Sequence, residues 1–273
     1  MNKYTVENFI KEIGLSDEAQ VALSDYALLK TEEEGALKEL FYRDFSAFAK
    51  AVDGMENAYM VYLYLYCSLA MDTYYEYQKR GYAHEVFVDT FRDFAVWCDV
   101  CLTETGKIGL KETEWLREPL LLKIFKLGAL QFQPETLEED YPLTDGQALA
   151  KGTTIYHLHI RQGTPFSPEA VDASLKKAKE FFGLDEMICF CESWFLSSTL
   201  QKILRADSNI LHYQNRFTLL ETDKKSRSCE RYIFGKFEED FSLYAPKNRL
   251  GERVLELLKN GEAVGESTGF FKI

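Results

Sequence analysis

Apolar residues recur at helical spacing through the first part of the chain. Leu37, Leu40, Phe41, Phe45, Phe48 and Val52 predict one helix over 33–52, stopped by Gly54. Met60, Leu63, Cys67, Met71 and Tyr74 form a stripe within 56–81, and Tyr59, Tyr62, Tyr64 and Tyr66 surround it. A helix apolar on nearly every side belongs in the middle of a bundle, with its tyrosine hydroxyls reaching the rim for partners. Phe87, Phe91, Phe94, Cys98 and Leu102 predict a helix over 85–103. An earlier helix starts at Ser16-Asp17-Glu18-Ala19, and 115–126 ends the series. His84 stands beside the Gly81 turn and reads as a surface or capping histidine.

Near Lys126 the period changes. Residues 127–133 read as a strand ended by Pro134, followed by an acidic loop over 135–140 and a turn at Asp145-Gly146. Residues 154–160 alternate and carry β-branched Thr and Ile, which predicts a second strand. A loop holding Gly163 and Pro165 leads into a helix with Ser167 as N-cap and Pro168 at the first position. Val171, Leu175, Ala178, Phe181 and Phe182 share one face of that helix, and Gly183 closes it. A strand, a loop and a helix start in this order aim backbone N–H groups at one spot, a natural anion seat. The ordinary alternative is a capped helix whose dipole is partly used by Glu169.

Beyond it the pattern predicts a central strand over 187–194, a short helix over 195–204 and a long strand over 209–220. Strands over 229–236 and 241–244 follow, then a helix over 249–259 stopped by Asn260-Gly261, and a last strand over 264–273. The basic run 224–227 reads as a solvated hairpin tip. The fold class is therefore α+β: an all-helical domain over 1–125 followed by a mixed-sheet domain with flanking helices over 126–273.

Composition narrows the function. A net charge of −12 argues against nucleic acid and against an anionic membrane surface. The longest apolar run, 58–71, falls short of the ~20 residues that span a bilayer. The first residues lack the apolar core of a signal peptide, so the six cysteines read as reduced thiols of a cytoplasmic chain. Cys98-x-x-Cys101 lies in a helix without a second pair and reads as core. His157, His159, His212, Cys189, Cys191 and Glu192 could in principle assemble a metal site, since H-x-H and C-x-C fit ligand pairs on strands. Such pairs recur by chance, and a zinc site is recognised by its full ligand set, so no metal is expected.

Leu158-His159-Ile160-x-x-Gly163-x-Pro165-Phe166-Ser167, Ser193-Trp194-Phe195-Leu196, Asp207-Ser208-Asn209-Ile210 with Arg216-Phe217, and the closing Gly265-x-x-x-Gly269-Phe270-Phe271 resemble one family. It comprises bacterial two-domain acyltransferases that join a helical N-terminal domain to one like the GCN5-related N-acetyltransferases (GNAT). The resemblance covers essentially the whole chain. It implies a GNAT-like sheet whose strands 154–160 and 187–194 splay apart. Acetyl-CoA or another acyl-CoA would lie in the gap, its pantetheine arm bonded to the backbone near Leu158 and Ile160. Its pyrophosphate would meet Gly163, Thr164, Phe166 and Ser167, with Arg161 adding charge. The loop departs from the family's usual pattern, with one glycine and with Pro165, which donates no N–H.

The implied reaction is acyl transfer to an amine on a small molecule or peptide. It needs a base for the ammonium and an acid for the leaving thiolate. His157 and His159 share a strand face, and Glu192 sits near the end of the neighbouring strand, where a cleft would raise its pKa. These three are the candidate bases. Where the family places a tyrosine acid this chain has Trp194, Phe195 and Leu196, leaving Tyr213, expected on the next strand, and Ser193 as substitutes. The competing reading is a non-catalytic ligand- or protein-binding module on a degenerate GNAT scaffold.

Overall fold

The computed structural model describes residues 4–25, 31–143, 146 and 148–273. The expected turn residue Asp145 lies outside them. The chain divides into two compact units, Met1–Lys126 and Leu127–Ile273.

The first unit is built from α1 (Val6–Glu12), α2 (Asp17–Asp25), α3 (Thr31–Arg43), α4 (Phe45–Asp53), α5 (Ala58–Lys79), α6 (His84–Phe91), α7 (Asp93–Thr105) and α8 (Thr113–Leu120). Val61, Leu63, Leu65, Tyr66 and Leu69 of α5 are fully buried, as an all-round apolar helix requires. Its tyrosines do find partners: Tyr62 donates to Asp53 at 2.9 Å, Tyr64 to Glu34 at 2.6 Å and Tyr66 to the Thr113 carbonyl at 2.9 Å. Two of the expected helices are each two. Asp44 adopts an extended backbone and accepts the Ala47 N–H at 3.0 Å, so it caps α4 and breaks the run begun in α3. The apolar stripe crosses this corner and the one at Arg92 because both flanking helices face the same core. The last helix ends at Leu120, and Phe125–Leu127 is already a strand. His84 pairs with Glu12 at 2.8 Å.

The second unit begins from β1 (Phe125–Leu127), which lies across the division. It continues with β2 (Leu130–Thr136), β3 (Tyr141–Pro142), β4 (Ala148–Leu149), β5 (Thr154–His159), α9 (Pro168–Phe182) and β6 (Ile188–Ser193). A 3-10 turn (Trp194–Leu196), α10 (Leu200–Ile203), α11 (Asn209–Gln214), β7 (Thr218–Asp223), α12 (Ser228–Phe234), a second 3-10 turn (Phe241–Leu243), α13 (Arg249–Lys259) and β8 (Glu266–Lys272) complete it. The sheet order is β1-β2-β5-β6-β8-β7, with β3 and β4 as a separate hairpin. Helix α9 is tied to the sheet by Ser174, whose fully buried hydroxyl accepts the Leu130 N–H at 3.0 Å and donates to the Leu127 carbonyl.

Four expectations fail here. Pro134 does not end β2 but faces Tyr156 within it. Strand β1 is three residues long and a two-residue turn joins it to β2, so it cannot reach Pro134 and no N–H is needed there. Residues 209–214 are helical rather than extended, with Leu211 and Gln214 buried at a spacing of three. Residues 229–234 fall in α12, where Cys229, Glu230 and Phe234 turn inward at helical spacing, and Gly235 closes the helix. Residues 241–244 form a 3-10 turn. In the last three cases β-branched or aromatic residues hid a helical period from propensity alone.

Candidate functional site

Strand β5 pairs with β2 along all six of its residues, from Thr154 to His159. Strand β6 likewise pairs with β8 from Ile188 to Ser193. Between β5 and β6 themselves the parallel register holds at two places, Tyr156 with Cys189 and His157 with Phe190. Past that point Leu158 and His159 diverge from Cys191, Glu192 and Ser193. Beyond His157 and Phe190 the outer sides of β5 and β6 stay paired to β2 and β8, while their inner sides no longer pair with each other. An extended polar chain laid in that opening can bond to backbone in the manner of an added strand.

The loop beyond β5 turns at Gly163, whose φ is +77° and whose missing Cβ would meet no atom within 4 Å. The Thr164 N–H donates to the Arg161 carbonyl at 3.3 Å. Phe166 turns inward, with its ring 5.5 Å from Phe195 and 5.1 Å from Tyr213. Ser167 accepts the Ala170 N–H at 3.2 Å and so caps α9 as the sequence predicts. Glu169 also uses this helix start: its own backbone N–H and Ser167 hold its carboxyl below the usual range.

Pairing partners share a face of the sheet, so the register sorts the candidates. On one face stand Gln133 and Glu135 of β2, His157 and His159 of β5, Phe190 and Glu192 of β6, and Thr268 of β8. His157 Nε2 meets Glu135 Oε2 at 2.9 Å, and His159 Nε2 meets Gln133 Oε1 at 2.9 Å. Burial, and then the neighbouring His157, push the His159 pKa down to about 4. Glu192 is exposed rather than enclosed, which removes the desolvation expected for it.

The opposite face, toward α9, holds Tyr156, which packs on Phe182 at 4.8 Å, and Cys191. Tyr213 belongs to α11, not to a strand, and is fully buried. Burial first, and then the adjoining Cys191 thiol, raise its pKa well above the ordinary tyrosine value. Its hydroxyl has no nitrogen or oxygen partner among the described residues. Ser193 accepts the Phe195 N–H at 3.1 Å and caps the 3-10 turn. The predicted bases and the substitute acids thus stand on opposite faces of one opening. Cys189 and Cys191 are turned away from the histidines, and among the described residues no three His, Cys, Asp or Glu side chains converge as a metal site would need.

Glu135 and Gln133 escaped the sequence reading. Gln131-Phe132-Gln133-Pro134-Glu135 alternates as a strand should, and that alternation would have found them had Pro134 not been read as its end.

Residues 124–271 match the GNAT-like C-terminal domain family, and residues 5–121 match the N-acyltransferase N-terminal domain. No curated protein matches the chain in sequence. Among solved structures, an acyltransferase in complex with decanoyl-CoA and teicoplanin superposes with a TM-score of 0.77 at 21% identity, over 98% of this chain and 87% of that one. A mutant acyltransferase in complex with octanoyl-CoA gives a TM-score of 0.76 at 20% identity, with the same coverage. An acyltransferase in complex with decanoyl-CoA gives 0.76 at 18%, over 97% of this chain and 86% of that one. No helix among the described residues is long and apolar enough to cross a membrane.

Proposed function

Because the chain belongs to the family that carries the GNAT-like C-terminal domain, we propose that it is an acyl-CoA-dependent N-acyltransferase acting on an amine. The observation that carries this reading is the opening of β5 from β6 beyond His157 and Phe190. The pantetheine arm lies along the backbone of Leu158 and Ile160. The pyrophosphate sits over Gly163, Thr164, Phe166 and the Ser167 helix start, with Arg161 beside it. One feature fits such an occupant: the empty space at the Gly163 Cβ position.

In the reaction the acceptor nitrogen attacks the thioester carbonyl carbon. A C–N bond forms, the C–S bond breaks, and CoA leaves as thiolate. The proton released by the amine passes to a base and returns to the thiolate sulfur, giving an amide and free CoA. The candidate bases His157, His159 and Glu192 stand on one face of the opening, and the candidate acids Tyr213 and Ser193 stand on the other. Solved neighbours hold decanoyl-CoA and octanoyl-CoA, and one also holds teicoplanin, which supports a medium-chain acyl donor and a small-molecule acceptor.

Pro165 and Glu169 favour the second reading, a binding module without turnover, since one removes an N–H and the other competes for the helix dipole. Thiol release from acetyl-, octanoyl- and decanoyl-CoA in the presence of a panel of primary amines distinguishes the two. Amine-dependent release with amide product supports the enzyme. Thermal stabilisation by acyl-CoA with no release across the panel leaves the binding module. Neither stabilisation nor release overturns both.

A further inference from the structure

Two histidines on one strand face receive different partners from β2. Each presents Nε2 to an oxygen at 2.9 Å, but His157 meets the carboxylate of Glu135 and His159 meets the amide oxygen of Gln133. A carboxylate oxygen only accepts, so Nε2 of neutral His157 carries the hydrogen and donates it. The lone pair is then on Nδ1, which has no hydrogen-bond partner among the described residues. When that ring takes up a proton the carboxylate balances the new charge, whereas an amide cannot. His159 is held neutral by burial and by its neighbour. The register also puts on this face Glu192, two residues past the His157–Phe190 pair on β6, Lys272 and Glu266 of β8, and Asp223 of β7, which pairs with Glu266.

We propose that Glu135 is a positioning residue that locks His157 in the Nε2–H form, making His157 Nδ1 the proton acceptor and leaving His159 as a neutral support. The inference rests on the N-acyltransferase reading and deepens it by separating candidates that the sequence left equal. Nδ1 takes one proton from the acceptor nitrogen as the C–N bond forms. Glu135 stays ionised and the imidazolium returns the proton to the thiolate as the C–S bond breaks.

The experiment uses the full chain labelled with 15N-histidine, whose four histidines give a simple long-range 1H–15N spectrum. Assignment comes from H157Q and H159Q. In the parent protein above neutral pH, His157 should show a single Nε2–H tautomer; in E135A it should average between both. With decanoyl-CoA and whichever amine is turned over, E135A should lose roughly 10- to 1,000-fold in kcat with KM for decanoyl-CoA within about twofold. E135D should recover part of the loss. An unchanged His157 tautomer in E135A, or an unchanged kcat, overturns the proposal. If no amine is turned over by the parent protein the acyltransferase reading fails, and the tautomer measurement still decides whether Glu135 holds the ring.

Discussion

His157 and Phe190 are the last residues that β5 and β6 share; one step further along, the two strands have parted. The opening begins beside His157, whose imidazole is paired to the Glu135 carboxylate. In the proposed reading, an arm entering the gap brings its reactive end close to His157.

Ser167 caps α9, and the proposed pyrophosphate seat lies at the same helix start. Ser167→Ala removes the acceptor for the Ala170 N–H and should cost about 1 kcal/mol in urea unfolding. Calorimetric titration with CoA should show weakened binding in the same variant. Unaltered affinity would place the pyrophosphate elsewhere.

His159 makes stability depend on pH. Its folded pKa of about 4 lies below the ordinary 6.5, so the unfolded chain binds the proton first on acidification. Stability from this group is complete above about pH 6.5 and is lost as pH falls toward 4, by about 1–3 kcal/mol. Unfolding free energies of the parent and H159Q, measured from pH 7.5 to 4.5, should converge on acidification. Parallel curves would remove this role.

Glu230 is fully buried and is clamped by Arg227 through two contacts, at 2.6 and 2.8 Å, while Tyr244 donates to the same carboxylate. Arg227 also donates to the Glu238 carbonyl at 2.6 Å, so the network ties α12 to the segment that leads into the second 3-10 turn. Glu230→Ala strands the guanidinium and should cost about 3 kcal/mol in denaturant unfolding. Tyr244→Phe should cost about 1–2 kcal/mol. A loss below about 1 kcal/mol in the alanine variant would mean that water replaces the clamp.

Gly109 is required by contact as well as by conformation. Its φ is +148°, and a Cβ there would lie 2.2 Å from the Tyr59 backbone. The Leu110 N–H bonds the Tyr59 carbonyl at 2.9 Å, so the close approach is fixed. Gly109→Ala should destabilise the helical unit by at least about 3 kcal/mol, read as a lower Tm. An unchanged Tm would refute the contact.

The strand–loop–helix from Thr154 to Phe182 was legible because each boundary had its own chemical marker: alternation, Gly163, Ser167 with Pro168, and Gly183. Helix α13 was legible for the same reason, from its apolar stripe to Asn260. Residues 209–214 and 229–234 were misread because Ile, Tyr and Phe favour strands, while the inward spacing that decides the matter depends on what they pack against; 218–220 do lie in a strand. Arg227 read as part of a solvated tip because its partner Glu230 is defined by a helix that propensity did not reveal. The candidate histidines were visible from their spacing on one strand. Their partners were not, since Glu135 and Gln133 come from a strand some twenty residues earlier and meet them only through register.

Hydrogen–deuterium exchange of the full chain with and without decanoyl-CoA tests the central claim most directly. Backbone amides at 158–164 and 191–193 should become protected by the ligand, while those of β2 and β8 on the outer sides change little. Ligand binding without protection at either edge of the opening would contradict the account.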